Sequence, residues 1–517
     1  MEEEESLEKV AVIGLDGLSW RYFNKILKAG AMRYTKSLHQ NQKAYKSVLE
    51  ATIPPSTPPS WSSIMTGVNP GKHGIFAFDY VDTKTLKQRL FTALDLMHPR
   101  IHEMLAMKGI RSVMINPIPD YPLIPIRHAN IITHLFFTPK ILYYPQHMRK
   151  YVKNLFSAEE IRKNSSLSCM EKSLKMMRIY EELIRKTVED LDWRLYWVNL
   201  NVPDFYLHAR PELLFDKTTY HELELFSIID RIVRLLTNHS DALIIVSDHG
   251  FSFYKWRISI NDLLFRHGLV KIGQTGKLIR EHHELQTKRE YKYMSKKILP
   301  ILRILYSPSL KLARKSLKKI YRLFKGKPPE IRVGIDTLNS KAFMGTRYSH
   351  GVYVKSSRDV QRVIELLKDI RGIKWVKPRE EVYWGSYINR APPVIVCPDY
   401  DQGFFLALNR VYGRVYLRVD TSDHHPDGVF MLYAPSLHID ASWPQRLPTY
   451  FVTPFIMWLL DIPLPSKSDS IDILRKIIGN RINHLRFTNE YLEKWRIVKK
   501  SVILRRRIRK QILEHQK

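Results

Sequence analysis

"VAVIGLD" (10–16) is an unbroken run of apolar residues and one glycine that ends on an aspartate. It has no polar alternation and is too short for a helix of its own, so it reads as a strand buried on both faces. Two later runs share the character and the ending. "RLYWVNLN" (194–201) leads into Pro203-Asp204, and "ALIIVS" (242–247) leads into Asp248-His249-Gly250. Helical periodicity is clear between them, in "SLKMMRIYEELIRKTVEDL" (173–191) and "HELELFSIIDRIVRLLTN" (221–238). Strands alternating with helices predict a doubly wound α/β sheet. After a break the pattern resumes with "HGVYV", a helix over 357–371, "APPVIVC", "GVFMLYA" and a helix near 450–460.

In open α/β sheets ligands sit beyond the carboxyl ends of the strands. Asp16, Asp204 and Asp248 would share that rim, and three carboxylates there repel one another unless a cation is present. Carboxylates with imidazoles form a ligand set for zinc, manganese or iron. His208 follows Asp204 by four residues, which puts both on one face of a helical turn. A further histidine is expected from the second half, and "SDHHPDG" (422–428) offers His424 and His425 just before a strand. Singly, each feature has a plainer reading: a strand-end Asp caps a helix, and "SDHG" makes a turn. Their recurrence at three strand ends of one sheet favours the metal.

"ATIPPSTPPSWSSIMTG" (51–67) packs four prolines among hydroxyl residues. Proline fixes φ and removes a donor, so 53–59 is expected outside helix interiors and central strands. A short helix is expected after Pro59, ending at Gly67. Stiff backbone feeding hydroxyls into a helix N-terminus suits a nucleophile held against an anion; a rigid connecting loop is the plainer alternative.

The bulk properties set limits. A chain of 517 residues that is 44% hydrophobic and 26% charged is a folded globular protein. The most apolar stretch, "YFVTPFIMWLLDIPLP" (450–465), is broken by Pro454 and Asp461 and is too short to span a bilayer, so no integral membrane segment is expected. The acidic start, MEEEESLEKV, is unlike a secretory signal. Two cysteines without CxxC spacing argue against a disulfide framework or a thiolate metal site, and a cytoplasmic location follows as the default.

The net charge of +32 is concentrated. Residues 270–330 carry 17 Lys and Arg against four Glu, and 481–517 carry 12 against three acidic residues. In "SLKLARKSLKKIYRLFK" (309–325), Leu310, Ala313, Leu317, Ile320, Tyr321 and Phe324 share one helical face. These two segments point to an anionic membrane surface as partner, with the protein peripheral to it. Nucleic acid ranks below, because Tyr291, Tyr293 and Tyr321 are a thin supply of stacking platforms. A merely solvated basic face is the plain alternative.

Taken in order, "VIGLDGLSW", "IPPSTPPSWSSIMTGVNPGKHGIFAFDY", "PDFYLH", "VSDHGF", "EEVYWG", "HHPDGVFMLYAP" and "TPFIMWLLDIPLP" span roughly 8–466. With these motifs the chain resembles the type I phosphodiesterase/nucleotide pyrophosphatase family of the alkaline phosphatase superfamily, especially its microbial branch. The basic stretch and the tail lie outside the resemblance. It implies an α/β fold, an alkaline-phosphatase-like three-layer α/β/α sandwich with a mostly parallel central sheet; to this the composition and patterning add a basic helical insertion and a small α+β cap. The expected divisions are 1–269 and 401–470 for the two parts of the hydrolase core, 270–335 for the insertion, 336–400 for the cap and 471–517 for a basic helical tail.

Carried over residue by residue, the resemblance implies two divalent metal ions, zinc first with manganese or iron as alternatives. One is held by Asp204, His208 and His424, the other by Asp16, Asp248, His249 and the oxygen of Thr57. His424 is preferred to His425 on the family's H-x-P-x-G spacing. Thr57 takes the place of the nucleophilic threonine, which gives a phosphothreonine intermediate. Ser60 stands where phosphodiesterase relatives often carry Asn to bind a phosphoryl oxygen. His73 is expected to be structural. The implied activity is hydrolysis of phosphodiesters or pyrophosphates; a phosphomonoesterase is the nearest alternative, and a non-catalytic basic protein binding membrane or nucleic acid the alternative from another class. The C/S-x-P-x-R signature of sulfatases is missing at Thr57-Pro58-Pro59-Ser60-Trp61, and the local serine motif of cofactor-independent phosphoglycerate mutases is missing as well.

Overall fold

The computed structural model of the chain describes residues 7–82, 88–134, 140–272, 334–346, 349–407, 410–439, 442–479 and 485–515. The basic insertion expected over 270–335 therefore falls, for 273–333, outside the described residues.

A nine-stranded sheet forms the centre. In chain order its strands are β1 (Val10–Leu15), β2 (Ala44–Glu50), β3 (Ser112–Ile115), β4 (Ala129–Thr133), β5 (Leu142–Tyr144), β6 (Leu195–Leu200) and β7 (Ala242–Val246), joined late by β15 (Asp427–Tyr433) and β16 (Arg446–Pro448). Across the sheet the order is β16-β2-β15-β7-β1-β6-β3-β4-β5. The middle of it, from β7 to β4, is parallel throughout, and β15 runs antiparallel between β2 and β7. β1, β6 and β7 are buried along their whole length, as continuous apolar runs in a parallel sheet must be. Alternate residues of β1 feed opposite layers: Ala11, Ile13 and Leu15 pack with one apolar cluster, Val10 and Val12 with the other.

Helices cover both faces. α3 (Cys169–Asp190) and α5 (Tyr220–Asn238) lie against the first cluster. Each starts on a reciprocal cap, Ser168 with Glu171 and Thr219 with Glu222, which satisfies orphan N–H groups at the first turn. α1 (Thr57–Thr66) and α2 (Ile101–Met107) lie against the second.

α1 begins at Thr57, three residues earlier than the prolines led us to expect. Pro58 and Pro59 occupy its first turn, where a helix leaves N–H groups unpaired and proline costs little. Gly67, at φ 72°, ends it in the left-handed region that favours glycine.

Beyond β7 the chain turns through Asp248-His249 into β8 (Gly250–Ile258), which pairs parallel with β13 (Phe404–Leu406) and antiparallel with β14 (Tyr416–His425). The register sets Gly250 opposite His425 and Phe251 opposite His424. A smaller antiparallel sheet contains β9 (Ala342–Phe343), β10 (Gly351–Val354), β11 (Ile373–Pro378) and β12 (Val394–Pro398), with helix α6 (Val360–Lys368). Its apolar core draws on Ile258, Leu264, Phe404 and Val415 as well as on Phe343, Val352, Val363 and Val394.

Gly14 shows how tightly α1 lies on β1. A Cβ there would stand 2.5 Å from the Trp61 ring and 2.1 Å from Asn199 Oδ1. Neither neighbour is free to move, since Trp61 is fully buried and Asn199 accepts from Trp197 Nε1 and donates to the Asn116 carbonyl. Gly14→Ala is expected to cost about 1–3 kcal/mol through overpacking and to shift Trp61 and with it helix α1. Urea unfolding of both proteins measures the first effect; an unchanged midpoint would contradict it.

Candidate metal centre

The carboxyl ends of β1, β6 and β7 lie side by side, and each is followed by an aspartate. Asp16 and Asp248 are fully buried, and Asp204 opens the one-turn helix α4 (Asp204–Leu207). The Asp204 N–H donates to the Asp16 carbonyl at 3.0 Å, locking two of the strand ends together. His208 follows one turn on, His249 directly after Asp248, and His424 arrives from β14 opposite Phe251.

Two groups result. Asp204, His208 and His424 bring one ligand atom each to within 4.8 Å of the others, and so do Asp16, Asp248 and His249. The groups adjoin: the His249 and His424 rings stack at 3.9 Å. Thr57 Oγ1 lies 3.5 Å from His249 Nε2.

Hydrogen bonds aim the imidazoles. His424 Nδ1 lies 2.9 Å from the Pro55 carbonyl and His249 Nδ1 3.0 Å from the Gly250 carbonyl, so each Nε2 turns to the centre. His208 Nε2 and His424 Nε2 then stand 3.0 Å apart, and both lie within 3.3 Å of Asp204 Oδ1. His425, by contrast, accepts from the Asp427 N–H through Nδ1 and turns its Nε2 toward Asp401, 3.8 Å away.

The site has the chemistry of a cation cradle. Asp16 Oδ1 and Asp248 Oδ2 are buried without a hydrogen-bond donor, although buried carboxylate oxygens are ordinarily satisfied, and Asp204 Oδ1 has only the two imidazoles beside it. Burial pushes the Asp16 carboxyl well up, with Asp248 and Asp204 adding to the shift. Burial and then Asp204 push Asp248 up as well. For Asp204 burial acts in the same sense, but His208 and His424 outweigh it and hold the carboxyl well below the usual range. Burial pushes His249 well down, leaving it neutral and able to ligate; His208 is raised, since Asp204 overcomes the burial. Three carboxylates and three imidazoles fit two divalent ions of the zinc, manganese or iron class.

Around α1 the hydroxyls have different fates. Pro58 and Pro59 offer no N–H, so Ser56 at the N-cap has nothing to cap, and its Oγ is buried without a partner. Thr52 Oγ1 donates to the Pro54 carbonyl at 3.0 Å, and so Ser60 Oγ must donate to Thr52 Oγ1, also 3.0 Å away. His73 accepts from the Ile75 N–H through Nδ1 and donates to Ser63 Oγ through Nε2, bracing the turn after α1.

Some supports gave no signal in the sequence. Trp61 Nε1 donates to Asp16 Oδ2 at 3.3 Å, the Gly17 N–H to Asp248 Oδ1 at 3.3 Å, and Tyr254 Oη to the His424 carbonyl at 2.8 Å. Asp423 accepts from the His424 N–H and from Arg257. Only Trp61 was within reach of inference, one turn after Thr57 on the same helix.

The family model for type I phosphodiesterase / nucleotide pyrophosphatase matches residues 10–323, more than half of the chain. The chain belongs to this family. It is accordingly a hydrolase of phosphoric ester or phosphoanhydride bonds. The match takes in most of the basic stretch 270–330, which the motif-by-motif resemblance had left out. Phosphonoacetate hydrolase from Sinorhizobium meliloti 1021, solved with phosphonoformate and with phosphonoacetate, has a similar fold: 13% identity, 88% of this chain and 96% of that one covered, TM-score 0.52. Murine ectonucleotide pyrophosphatase / phosphodiesterase 5 aligns at 15% identity over 91% of this chain and 100% of that one, with a TM-score of 0.46. No curated protein matches the sequence.

The carboxyl shifts give a test for the cations. An aspartate raised on folding stabilises the fold below its unfolded pKa and loses that contribution as pH rises through the folded value. Asp16 and Asp248 therefore weaken the metal-free protein at neutral and alkaline pH, where a bound cation takes the place of the protons. Chelation should lower the melting temperature by several degrees at pH 8 and by much less at pH 5. Thermal scans with and without EDTA measure this; equal shifts at both values would contradict it.

Proposed function

We propose that this chain is a two-metal phosphodiesterase or nucleotide pyrophosphatase with Thr57 as its nucleophile. The adjoining of two carboxylate–imidazole groups, with the Thr57 hydroxyl 3.5 Å from His249 Nε2 and buried oxygens of Asp16 and Asp248 left without donors, carries the reading. Asp204, His208 and His424 would hold one ion; Asp16, Asp248, His249 and Thr57 Oγ1 would hold the other, with zinc favoured over manganese or iron. When bound, the two ions supply Lewis-acid charge that acidifies the threonine hydroxyl and offsets the charge of the phosphoryl group.

Thr57 Oγ1 attacks phosphorus in line, and the bond to the leaving oxygen breaks. The phosphothreonine is then hydrolysed by water, which restores the hydroxyl. Pro58 and Pro59 fix the backbone that carries Thr57, so its Oγ1 is held in place before substrate arrives. The Pro55 carbonyl, through His424 Nδ1, couples the same proline loop to the other group. The substrate is a phosphate ester or pyrophosphate, and a cytoplasmic protein peripheral to an anionic surface is the setting we favour. The core divisions 1–269 and 401–470, the cap 336–400 and the tail 471–517 belong to the same proposal.

One observation favours the monoesterase reading. The Ser60 proton is engaged by Thr52, so Ser60 reaches a phosphoryl oxygen only by giving up that bond. Thr57→Ala should reduce turnover of bis(p-nitrophenyl) phosphate by about a thousandfold or more while the bound metal stays. Ser60→Ala should reduce kcat/KM by less than about tenfold, because a hydrogen bond is exchanged rather than gained. A tenfold preference for p-nitrophenyl phosphate over the diester would make the enzyme a phosphomonoesterase, and full activity of Thr57→Ala would move the nucleophile elsewhere.

A further inference from the structure

The C-terminal helix α7 (Glu490–His515) has two opposite faces. On one, Tyr491, Trp495 and Lys499 recur every four residues and are buried. Their contacts fix the direction of the helix. Lys108, which follows α2 and precedes β3, lies 3.5 Å from Glu490 and 5.6 Å from the Tyr491 ring. Lys499 Nζ donates to the carbonyl of Leu96, ahead of α2, and the Arg506 guanidinium stands 5.7 Å from the ring of Tyr121, beyond the carboxyl end of β3. α7 thus climbs from the amino edge of the sheet to its carboxyl edge. Its residues past Lys499 lie toward the rim on which Asp16, Asp204 and Asp248 follow their strands.

The other face is apolar and, among the described residues, uncovered. Ile497, Leu504 and Ile508 are 70%, 58% and 46% exposed. At 3.6 residues per turn they fall within about 40° of one another, on the side of the helix opposite Trp495 and Arg506. Cations flank them: Lys494, paired with Glu490, and Arg505 to one side, Lys500 and Arg507 to the other. From Lys494 to Lys510, both included, there are nine Lys or Arg and no Asp or Glu. Solubility accounts for the cations but not for three aliphatic side chains aligned between them.

We propose that this outer face of α7 is an interfacial helix that seats the active-site rim on an anionic lipid bilayer. The aliphatic stripe enters the boundary between headgroups and acyl chains, and the flanking cations meet the lipid phosphates. Nucleic acid fits less well. It would use the cations, leave the stripe in water and want exposed aromatic side chains, whereas the exposed large side chains of this face are aliphatic. On the phosphoesterase reading, on which this last step rests, the favoured substrate is a phosphate ester presented at that surface.

Co-sedimentation of the full chain with phosphatidylcholine vesicles and with vesicles containing phosphatidylglycerol tests the proposal, at low and high salt. Binding is expected only to the anionic vesicles, weakening with salt. Replacing Ile497, Leu504 and Ile508 together by Ser, which leaves every charge in place, should weaken it at least tenfold. Exchanging Lys500, Arg505 and Arg507 for Gln should weaken it and flatten the salt dependence. Hydrolysis of a soluble diester should stay within twofold in both variants. Absence of binding to anionic vesicles, undiminished binding by the Ser variant, or displacement from vesicles by a short DNA duplex would each overturn the proposal, the last in favour of nucleic acid. A chain that binds vesicles yet hydrolyses no phosphate ester would overturn the catalytic reading and leave the interfacial helix standing.

Discussion

Three aspartates from three neighbouring strand ends meet at one rim, Asp16 and Asp248 buried and Asp204 partly exposed, and their mutual repulsion is the constraint on which the rest of the site depends. Two charges about 4 Å apart interact by about 4 kcal/mol at an effective dielectric of about 20, against a total stability of about 5–15 kcal/mol for a domain. Such a cluster is tolerable if protons or cations neutralise it. Histidines supply part of the answer at Asp204, whose carboxyl stays ionised between His208 and His424. At Asp16 and Asp248 the protein supplies too little, and the carboxyl oxygens that lack donors mark where further positive charge belongs.

The remainder of the fold holds these groups at fixed spacing. Parallel strands set Asp16 and Asp248 abreast, and a backbone bond from Asp204 to the Asp16 carbonyl ties in the third. The antiparallel pair β8–β14 brings His424 back across more than 170 residues of chain to stack on His249. Helix α1 is pressed onto β1 at Gly14, and through Trp61 it both carries Thr57 and donates to Asp16. The proposed nucleophile and ligands are thus parts of one packed unit, and a disturbance of that packing would reach the chemistry.

Much of this was legible in the sequence because it follows local rules. Continuous apolar runs ending in Asp revealed the three central strands, and the four-residue step from Asp204 to His208 revealed a helical turn. What could not be read depends on contacts between distant segments. Nothing local makes β15 antiparallel between β2 and β7, and nothing in TPPS announces that the Ser60 proton goes to Thr52. The early start of α1 was missed for a different reason: proline is hostile to helix interiors but suits a first turn, and the sequence leaves open which of the two applies. In the tail, composition showed the charge, but only the packing of Tyr491, Trp495 and Lys499 shows which face of the helix is left outside.

Metal stoichiometry is the most direct measure of whether the buried carboxylates exist to hold cations. Plasma emission analysis of the purified chain after dialysis against metal-free buffer should find two divalent ions per chain, falling to one when Asp204 is changed to Asn. Substoichiometric metal in the parent protein after reconstitution with zinc or manganese, or a stoichiometry that Asp204→Asn and Asp248→Asn leave unchanged, would contradict the two-cation centre.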